Sequence, residues 1–373
     1  MLLEQVLSPV PGGTGRYARE LSAAVSAAAA GTDRVEGWTA WHRDTAAARL
    51  PGGAPVHRLP LPRRALIAAW ERGAPWPVPR GVDVVHAPTL LAPTAVRVPL
   101  VVTVHDAVPW THPETLTPRG VTWHRRMAER VAARAQAVVV PTHAVAAAVR
   151  GHLDLPRVEV IGEGVSGDLV LPADAAERAG RLDLPAGGFL LTLATLEPRK
   201  GLDVLIRALA RRTGPQLPLL VVGQPGWGGV DPVQLARTEG LAADRVRVLG
   251  RLSDADLATV LHRATALVMP SRAEGFGLPV LEAMAAGTPV VCSADPALVE
   301  VGGDAVRATP IGDDAALAAA LAEVLGDAGL RAAMSERGRS RAATYSWEDA
   351  ARSLWDLYRS LASTGKSSSR ASR

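Results

Sequence analysis

Residues 274–291 read EGFGLPVLEAMAAGTPVV, and the pattern of these residues indicates the fold class. It is flanked by two short apolar runs, 265–269 and 288–292, which predict buried strands. Between them, Pro279 marks the first turn of a helix and Gly287 marks its end. A strand, a helix and a second strand in this order are typical of a parallel sheet that is covered by helices.

The loop before this helix has the chemistry of an anion site. Free backbone N–H groups and the positive end of the helix dipole face the tips of the strands. Glu274 lies on the loop and Glu282 lies one to two turns into the helix, so both carboxylates can face one bound polar ligand. A buried helix alone would not explain them, because an unpaired buried carboxylate is costly. We therefore predict a ligand site here.

The same alternation of apolar runs and helical stretches extends over most of the chain, which indicates an α/β fold class. The 373 residues are enough for two domains, and the glycine- and proline-rich stretch 162–188 predicts the linker between them. We predict an N-terminal domain over 1–168, a C-terminal domain over 169–345, a helix over 346–362 that packs back on the first domain, and a disordered tail over 363–373.

The first apolar run is unusually brief and ends before Pro9, so either the first strand is short or translation begins upstream. Residues 11–17, PGGTGRY, then predict a glycine turn that opens a helix. Gly13, Gly15 and Ala18 also fit a dinucleotide-binding fingerprint. That fingerprint needs a strand running directly into the glycines and a well-placed acidic residue about 20 positions later. Neither is present, which argues against an oxidoreductase.

A second candidate site is the turn 196–201, LEPRKG, between a predicted strand and a predicted helix. Arg199 and Lys200 at a helix start oppose the helix dipole, so we expect an anion beside them. Arginine fills 39 of the 41 basic positions, yet one of the two lysines is Lys200. A compact ammonium fits between phosphate oxygens more easily than a guanidinium does. We expect Lys200 to lie at an exposed helix end.

His105 follows the apolar run 100–104, at the carboxyl end of a predicted strand, where open α/β sheets bind ligands. From the residues alone, a lone histidine in such a run is more often structural. Asp254 and Asp256 have the spacing of a metal-binding pair, but Ser253 before them is a natural N-cap. We interpret the two acids as part of a helix start and predict no metal site.

The composition excludes several classes of protein. No apolar run reaches the ~18 residues of a membrane span, and no secretory signal is visible. The single cysteine, Cys292, lies in an apolar run, so we expect a buried thiol and a reducing, cytoplasmic location. A net charge of +4 without a cluster of basic and aromatic residues argues against a nucleic-acid partner.

Two glutamates separated by seven residues, together with the cationic turn, the glycine turn and the histidine, resemble glycosyltransferase family 4 over almost the whole chain. The resemblance implies the GT-B fold, with two doubly wound Rossmann-like domains and an interdomain cleft. It places His105 and Glu274 at the reacting sugar. The donor-binding residues that it implies are Gly13, Gly15, Arg199, Lys200, Arg251, Leu252, Gly275, Phe276, Gly277, Leu278 and Glu282.

The resemblance further implies a retaining hexosyltransferase that uses a nucleotide-diphosphate sugar and needs no metal or other cofactor. The motifs of this chain are most similar to those of bacterial mannosyltransferases. GDP-mannose is therefore the first expected donor, and a UDP-sugar is the second. The acceptor stays open between a glycan, a lipid-linked molecule and a small molecule. Two alternatives remain: another GT-B enzyme such as an epimerase or phosphorylase, and a non-catalytic protein that binds nucleotide sugar.

Residues 61–72, LPRRALIAAWER, and the following Trp76 place arginines beside apolar positions on a short predicted helix. Such a helix in the acceptor-side domain suggests peripheral contact with the inner membrane surface or with a lipid-linked acceptor. The alternative is an ordinary amphipathic helix that faces its own core.

Overall fold

The structure is a computed structural model that describes the backbone of residues 1–371 and the side chains of residues 1–363. The chain forms two compact units. Unit 1 contains Met1–Pro113, Thr117–Glu163 and the chain from Ser346 onward, and unit 2 contains Glu114–Leu116 and Gly164–Tyr345. The main chain therefore passes into unit 2 after Glu163, before the expected boundary at 168.

The strands in chain order are β1 (Gly37–Trp41), β2 (Val56–Pro62), β3 (Val85–Ala87), β4 (Leu100–Thr103), β5 (Ala137–Val140), β6 (Val158–Val160), β7 (Leu190–Leu193), β8 (Leu219–Val222), β9 (Val246–Gly250), β10 (Ala266–Met269), β11 (Val290–Ser293) and β12 (Val306–Thr309). The α-helices are α1 (Gly12–Ala27), α2 (Arg63–Glu71), α3 (Val108–Thr111), α4 (Pro118–Arg134), α5 (His143–Arg150), α6 (Ala175–Arg181), α7 (Leu202–Ala210), α8 (Pro232–Thr238), α9 (Asp254–Arg263), α10 (Leu278–Ala286), α11 (Pro296–Gly302), α12 (Asp314–Gly326), α13 (Ala328–Ala342) and α14 (Trp347–Ala371).

The sheet of unit 2 is parallel throughout and has the order β12-β11-β10-β7-β8-β9. The chain starts this sheet in the middle, at β7, winds outward through β8 and β9, and then returns to the other side at β10. All residues of β7, β8 and β10 are buried, which explains their continuous apolar runs. The topological switch point lies between β7 and β10, where open α/β sheets bind ligands.

Unit 1 contains two parallel sheets that extend to either side of a central segment near residue 2. The strands β3-β4-β5-β6 form one parallel sheet and β1-β2 another. Leu2 N–H donates to the carbonyl of His86 on β3 at 2.9 Å, and Leu3 N–H donates to the carbonyl of Trp38 on β1 at 2.8 Å. The brief first apolar run thus connects the two sheets, with one isolated bridge between Leu2 and Trp38.

The last helix, α14, packs on α1 within unit 1. The indole of Trp355 donates to the carbonyl of Val25 at 2.9 Å, and Arg359 pairs with Asp33 at 2.8 Å. The backbone stays helical to Ala371, beyond the expected end at 362, so the expected disorder of 363–371 is corrected. Extending an existing helix adds one hydrogen bond for each residue that is fixed, so polar residues can continue it. Ser372 and Arg373 lie outside the described residues.

Within the described part of the chain, none of the helices is both long enough and apolar enough to cross a bilayer.

Candidate functional site

The cationic turn (residues 196–201) and the glycine loop (residues 274–277) lie close together because they follow neighbouring strands. Arg199 and Lys200 follow β7, and Glu274 follows β10, so both segments emerge at the carboxyl ends of adjacent parallel strands. This edge is the switch point of the unit 2 sheet. The order of strands therefore brings together side chains that lie 74 and 75 positions apart in the sequence.

The carboxylate of Glu274 is held by two cations. Lys200 Nζ donates to Glu274 Oε1 at 2.6 Å, and Arg199 Nη1 donates to Glu274 Oε2 at 3.2 Å. Arg199 Nη1 also donates to the carbonyl of Ala273 at 3.1 Å, and its Nη2 donates to Glu197 Oε1 at 2.9 Å. The Glu274 side chain is 7% exposed and that of Lys200 is 12% exposed. The sequence predicted that Lys200 lies at an exposed helix end. This prediction is wrong, because Lys200 lies in a partly buried ion pair.

The electrostatics of this cluster keep Glu274 ionised. Burial alone would raise the pKa of Glu274, but the charges of Lys200 and Arg199 and the hydrogen bond from Lys200 outweigh it and lower the pKa to about 2. Burial lowers the pKa of Lys200, and the neighbouring charge of Arg199 lowers it further, against the opposing effect of Glu274. The cluster is thus a preorganised group of charges on the ligand-binding edge of the sheet.

The backbone of the cationic turn is fixed by a glycine and by an arginine. Gly201 has φ of +65°, and a Cβ there would lie 2.1 Å from the carbonyl oxygen of Pro270. The guanidinium of Arg272 forms a bidentate pair with Asp203 at 2.8 and 2.7 Å and donates to the carbonyl of Pro198 at 3.0 Å. The turn that carries Lys200 is therefore tied to the loop that carries Glu274.

The glycine loop ends in a sharp turn into α10. Gly277 is the N-cap of this helix with φ of +90°, and a Cβ there would lie 2.4 Å from Leu298 Cδ2. The helix begins at Leu278, one residue before the expected start at Pro279, and its N-cap is a glycine without a side chain. Phe276 is buried with its ring edge against Tyr345, so its side chain packs in the core of unit 2. Gly275 lies between Glu274 and Phe276 on this loop.

Asp295 is a supporting residue that the sequence reasoning missed. Its carboxylate accepts from Glu274 N–H at 3.2 Å and from the N–H groups of Ala297 and Leu298 at the start of α11. Burial raises the pKa of Asp295. An aspartate directly before Pro296 is a recognisable N-cap signal, but nothing local connects it to the glycine loop.

The remaining predicted donor residues of unit 2 lie on neighbouring elements. Glu282 is on α10 and its side chain is buried. Arg251 and Leu252 follow β9, and Arg251 is exposed. The next residue, Ser253, is confirmed as the N-cap of α9, since its Oγ accepts from Asp256 N–H at 3.1 Å. Asp256 also pairs with Arg178 at 2.7 Å.

His105 lies in unit 1 at the carboxyl end of β4. Its Nε2 is 2.8 Å from the carbonyl oxygen of Pro88, which can only accept, so Nε2 carries the proton when the ring is neutral. Its Nδ1 is 4.0 Å from a carboxylate oxygen of the buried Glu163, and its ring meets the ring of Tyr17 edge-on at 4.6 Å. Burial lowers the pKa of His105. The side chain is therefore held in place and neutral near pH 7.

A buried relay of four neutral polar side chains begins at Tyr17, whose ring contacts His105. The hydroxyl of Tyr17 contacts Thr103 Oγ1 at 3.1 Å, Thr103 Oγ1 contacts His86 Nε2 at 2.9 Å, and His86 Nδ1 contacts the hydroxyl of Tyr358 at 2.5 Å. Burial lowers the pKa of His86 to about 3. This relay joins α1, β4, β3 and α14, and the sequence alone gave no signal for it because His86 and Tyr358 are 272 positions apart.

The glycine turn of unit 1 is part of α1 rather than a separate loop. The helix begins at Gly12, so Gly13 and Gly15 both lie in its first turns. A Cβ at Gly15 would lie 2.3 Å from Pro11 Cβ, which is a packing reason for glycine there. A Cβ at Gly13 would meet nothing within 4 Å. The expected donor role of both residues stays a prediction.

Helix α2 turns its apolar face toward the core of unit 1. Leu66 and Trp70 are buried, and Arg63 pairs with the buried Glu4 at 3.0 Å. Arg64 and Trp76 are exposed. The helix therefore matches the alternative of an ordinary amphipathic helix, and the proposed lipid contact rests on the exposed residues alone.

Unit 2 has a cavity of about 460 Å³ beside the cationic turn. Its polar lining includes Glu197, Asp203, Gln234 and Arg272.

Among the described residues, no group of three or more histidine, cysteine, aspartate or glutamate side chains is arranged to hold a metal ion. Cys292 is confirmed as a buried residue, and burial raises the pKa of its thiol to about 12.

Two protein-family profiles match the chain. The profile described as Glycosyltransferase Family 4 matches residues 11–168, and the profile described as Glycosyl transferases group 1 matches residues 185–341. The O-antigen chain mannosyltransferase B of Escherichia coli is 35% identical over 193 residues, which are 51% of this chain and 50% of that protein. The D-inositol 3-phosphate glycosyltransferase of Salinispora arenicola is 34% identical over 252 residues, which are 62% of this chain and 56% of that protein. The chain thus spans about half the length of the curated relatives that it matches.

Solved structures share the fold over nearly the whole chain. The sucrose-phosphate synthase of Thermosynechococcus elongatus has a TM-score of 0.77 and 24% identity, and 98% of both chains is covered. HepE of Anabaena, solved in complex with UDP and glucose, has a TM-score of 0.75 and 22% identity, with 96% of this chain and 98% of that chain covered. The predicted GT-B fold class, with two doubly wound α/β units, is confirmed.

Proposed function

This chain belongs to glycosyltransferase family 4, and we propose that it transfers a hexosyl group from a nucleotide-diphosphate sugar to an acceptor with retention of the anomeric configuration. The observation that carries the proposal is the charged cluster at the switch point of unit 2. Glu274 is held there by Lys200 and Arg199 on the edge of the sheet where α/β folds bind ligands.

In this proposal, the donor diphosphate meets the cationic turn and the start of α10. The positive charge of the turn and the backbone N–H groups of the helix start stabilise the departing nucleoside diphosphate, so no metal ion is needed. Glu274 accepts from a hydroxyl of the donor sugar. His105, neutral and fixed by the carbonyl of Pro88, lies beside that sugar as the family resemblance implies.

The proposed reaction is a front-side substitution at the anomeric carbon. The bond between that carbon and the diphosphate oxygen breaks, and the electron pair leaves with the diphosphate. The acceptor hydroxyl oxygen then bonds to the same face of the sugar, and its proton passes to the departing diphosphate. No side chain placed as a nucleophile is required, and the configuration is retained.

The preferred donor in this proposal is GDP-mannose. It is supported by the likeness to a mannosyltransferase and by the sequence motif TLEPRK at residues 195–200. A UDP-sugar is the second candidate, since the HepE structure contains UDP and glucose. The acceptor is a glycan, a lipid-linked molecule or a small molecule, and the likeness to an inositol-phosphate glycosyltransferase supports the last of these.

The test is to incubate the chain with GDP-mannose, UDP-glucose, ADP-glucose and dTDP-glucose, and to measure the release of nucleoside diphosphate. We expect release from one of these donors, and we expect proton NMR of the glycosylated product to show the anomeric configuration of the donor. Turnover only with free phosphate would indicate a phosphorylase, and isomerised donor would indicate an epimerase. Nucleotide binding without any release, over a broad set of acceptors, would indicate a non-catalytic binding protein.

We further propose a cytoplasmic location with peripheral contact to the inner membrane surface through Arg64 and Trp76, which are both exposed. Co-sedimentation with vesicles that contain anionic lipid, compared with neutral vesicles, tests the contact. Equal binding to both kinds of vesicle, or an unchanged result for Arg64→Glu with Trp76→Ala, contradicts it.

A further inference from the structure

We infer that Arg199 is a positioning residue that holds Glu274, and that Lys200 is the cation of this turn that binds the donor diphosphate. The inference rests on the proposed function and refines it, because the sequence placed both cations on the diphosphate. It assigns Glu197, a residue of the turn 196–201 to which the family resemblance gave no role, as the residue that fixes Arg199.

The donors of Arg199 already face protein acceptors on two sides. Its Nη1 donates to the carbonyl of Ala273 and to Glu274, and its Nη2 donates to Glu197. The guanidinium is a planar fork whose N–H directions cannot be turned independently. Arg199 therefore cannot turn this fork toward a phosphate group without giving up one of these contacts.

Lys200 is bound in a different way. An ammonium has three N–H donors that rotate about one bond. Among the residues with described side chains, Lys200 Nζ makes one hydrogen bond, to Glu274 Oε1 at 2.6 Å. The charge of Lys200 is thus offset by one carboxylate, and the ammonium retains donors for phosphate oxygens.

The two oxygens of Glu274 are held separately, and this explains how the cluster responds to a donor. Lys200 holds Oε1 and Arg199 holds Oε2. When a diphosphate draws the ammonium of Lys200 toward itself, Arg199 keeps the carboxylate in place through Oε2. Oε1 is then released to accept from a hydroxyl of the donor sugar. Binding of the diphosphate and orientation of the sugar contact are coupled in this way.

The experiment compares Arg199→Met with Lys200→Met, and the exposed pair of Arg307 with Glu323 supplies the control Arg307→Met in the same unit. The affinity for the nucleoside diphosphate is measured by calorimetry, and kcat is measured at saturating donor. We expect Lys200→Met to weaken diphosphate binding at least about 10-fold, the effect of losing a charged hydrogen bond. We expect Arg199→Met to leave the affinity within about 3-fold but to lower kcat about 10²-fold.

Two further variants separate positioning from loss of the fold. Arg199→Lys keeps the charge but lacks the fork, so its diphosphate affinity should equal that of the wild type while kcat stays low. Glu197→Gln should lower kcat about 10-fold without changing the diphosphate affinity, and it should add nothing to Arg199→Met, because both act through the same contact. Melting temperatures identify any variant that fails to fold.

Equal loss of diphosphate affinity in Arg199→Met and Lys200→Met would overturn the inference while leaving the proposed function intact. A wild-type chain that binds no nucleoside diphosphate would instead contradict the proposed function itself. Restoration of kcat by Arg199→Lys would also overturn the inference, since charge alone would then be sufficient.

Discussion

Two buried polar clusters, one in each unit, differ in charge. At the switch point of unit 2, an ionised carboxylate is enclosed by two cations, Arg199 and Lys200. In unit 1, the relay from Tyr17 through Thr103 and His86 to Tyr358 consists of hydroxyls and an imidazole. The pKa of Glu274 is lowered to about 2 because its cations outweigh burial, whereas the pKa of His86 is lowered to about 3 by burial itself.

The two clusters serve different purposes. Separated charges at a sheet edge are positioned for a charged ligand, and removing one partner leaves the other unsatisfied in a site of low dielectric. Neutral groups linked by hydrogen bonds add no net charge, and they hold helices and strands in register. We therefore expect changes in unit 2 to act mainly on turnover and changes in unit 1 to act mainly on stability.

The largest expected effect is on Glu274. Glu274→Ala should lower kcat by about 10³-fold, because the contact to the donor sugar is lost. The affinity for nucleoside diphosphate should stay equal or rise, since Lys200 and Arg199 lose their internal anion. Single-turnover kinetics and calorimetry on the same preparation measure the two quantities. Parallel loss of binding and turnover would show that Glu274 supports the diphosphate site and not the sugar.

Lys200→Ala should lower kcat by about 10² to 10³-fold, and Lys200→Arg should recover only part of this loss. The partly buried ion pair adds an effect on stability that the sequence did not predict. Loss of the ammonium leaves Glu274 with one cation, at a cost of about 2 kcal/mol, which lowers Tm by about 5 °C. Adding Glu274→Gln should restore Tm but not kcat. An unchanged Tm for Lys200→Ala would contradict the pairing.

Acidification should weaken the relay of unit 1 before it weakens the charged cluster of unit 2. Because the pKa of His86 is lowered on folding, the unfolded chain binds more protons between the usual pKa near 6.5 and about 3, so stability falls as the pH falls through that range. The loss from His86 alone is about 2 kcal/mol at pH 5. Glu274 contributes stability that is lost only as the pH falls from about 4.5 toward 2.

Eight of the nine tryptophans lie in unit 1, so urea unfolding followed by tryptophan fluorescence reports on that unit. The free energy of unfolding at pH 7 and at pH 5 gives the slope. His86→Gln is the control, since it removes the titrating ring and should reduce the dependence. His105 and the buried N-terminal amino group of Met1, whose pKa burial lowers to about 5, contribute in the same direction. Equal slopes for the two proteins would exclude His86 as the source.

The smallest expected effect is that of Tyr358→Phe. The variant removes one hydroxyl from the relay and leaves His86 Nδ1 without that partner, at a cost of about 1 kcal/mol. Turnover at saturating donor should change less than about 3-fold, which corresponds to less than about 0.6 kcal/mol in the activation free energy. A large loss of kcat at unchanged Tm would show that unit 1 shares the sensitivity of unit 2.

The same comparison explains what the sequence could predict. Strands such as β7 and β10 are buried throughout, so their apolar runs are readable, and a motif directly after such a strand lies at the ligand edge. The edge strand β12 was missed because Arg307 and Ala308 are exposed, so no apolar run marks it. Residues that act across long separations were missed as well: Asp295 supports a loop 21 positions away, and His86 meets Tyr358 across 272 positions. The burial of Lys200 was misjudged for the same reason, because its partner Glu274 lies 74 positions further along the sequence.

The diphosphate site at the edge of unit 2 is tested by a calorimetric titration of the wild-type chain and of Lys200→Met with UDP, GDP, ADP and dTDP. If the edge of unit 2 is a nucleotide-diphosphate site, one of these ligands binds the wild type with one-to-one stoichiometry, and Lys200→Met weakens that binding at least about 10-fold while Tm confirms a folded protein. Binding of equal strength to both proteins, or no binding of any diphosphate to the wild type, would contradict a diphosphate site at this edge.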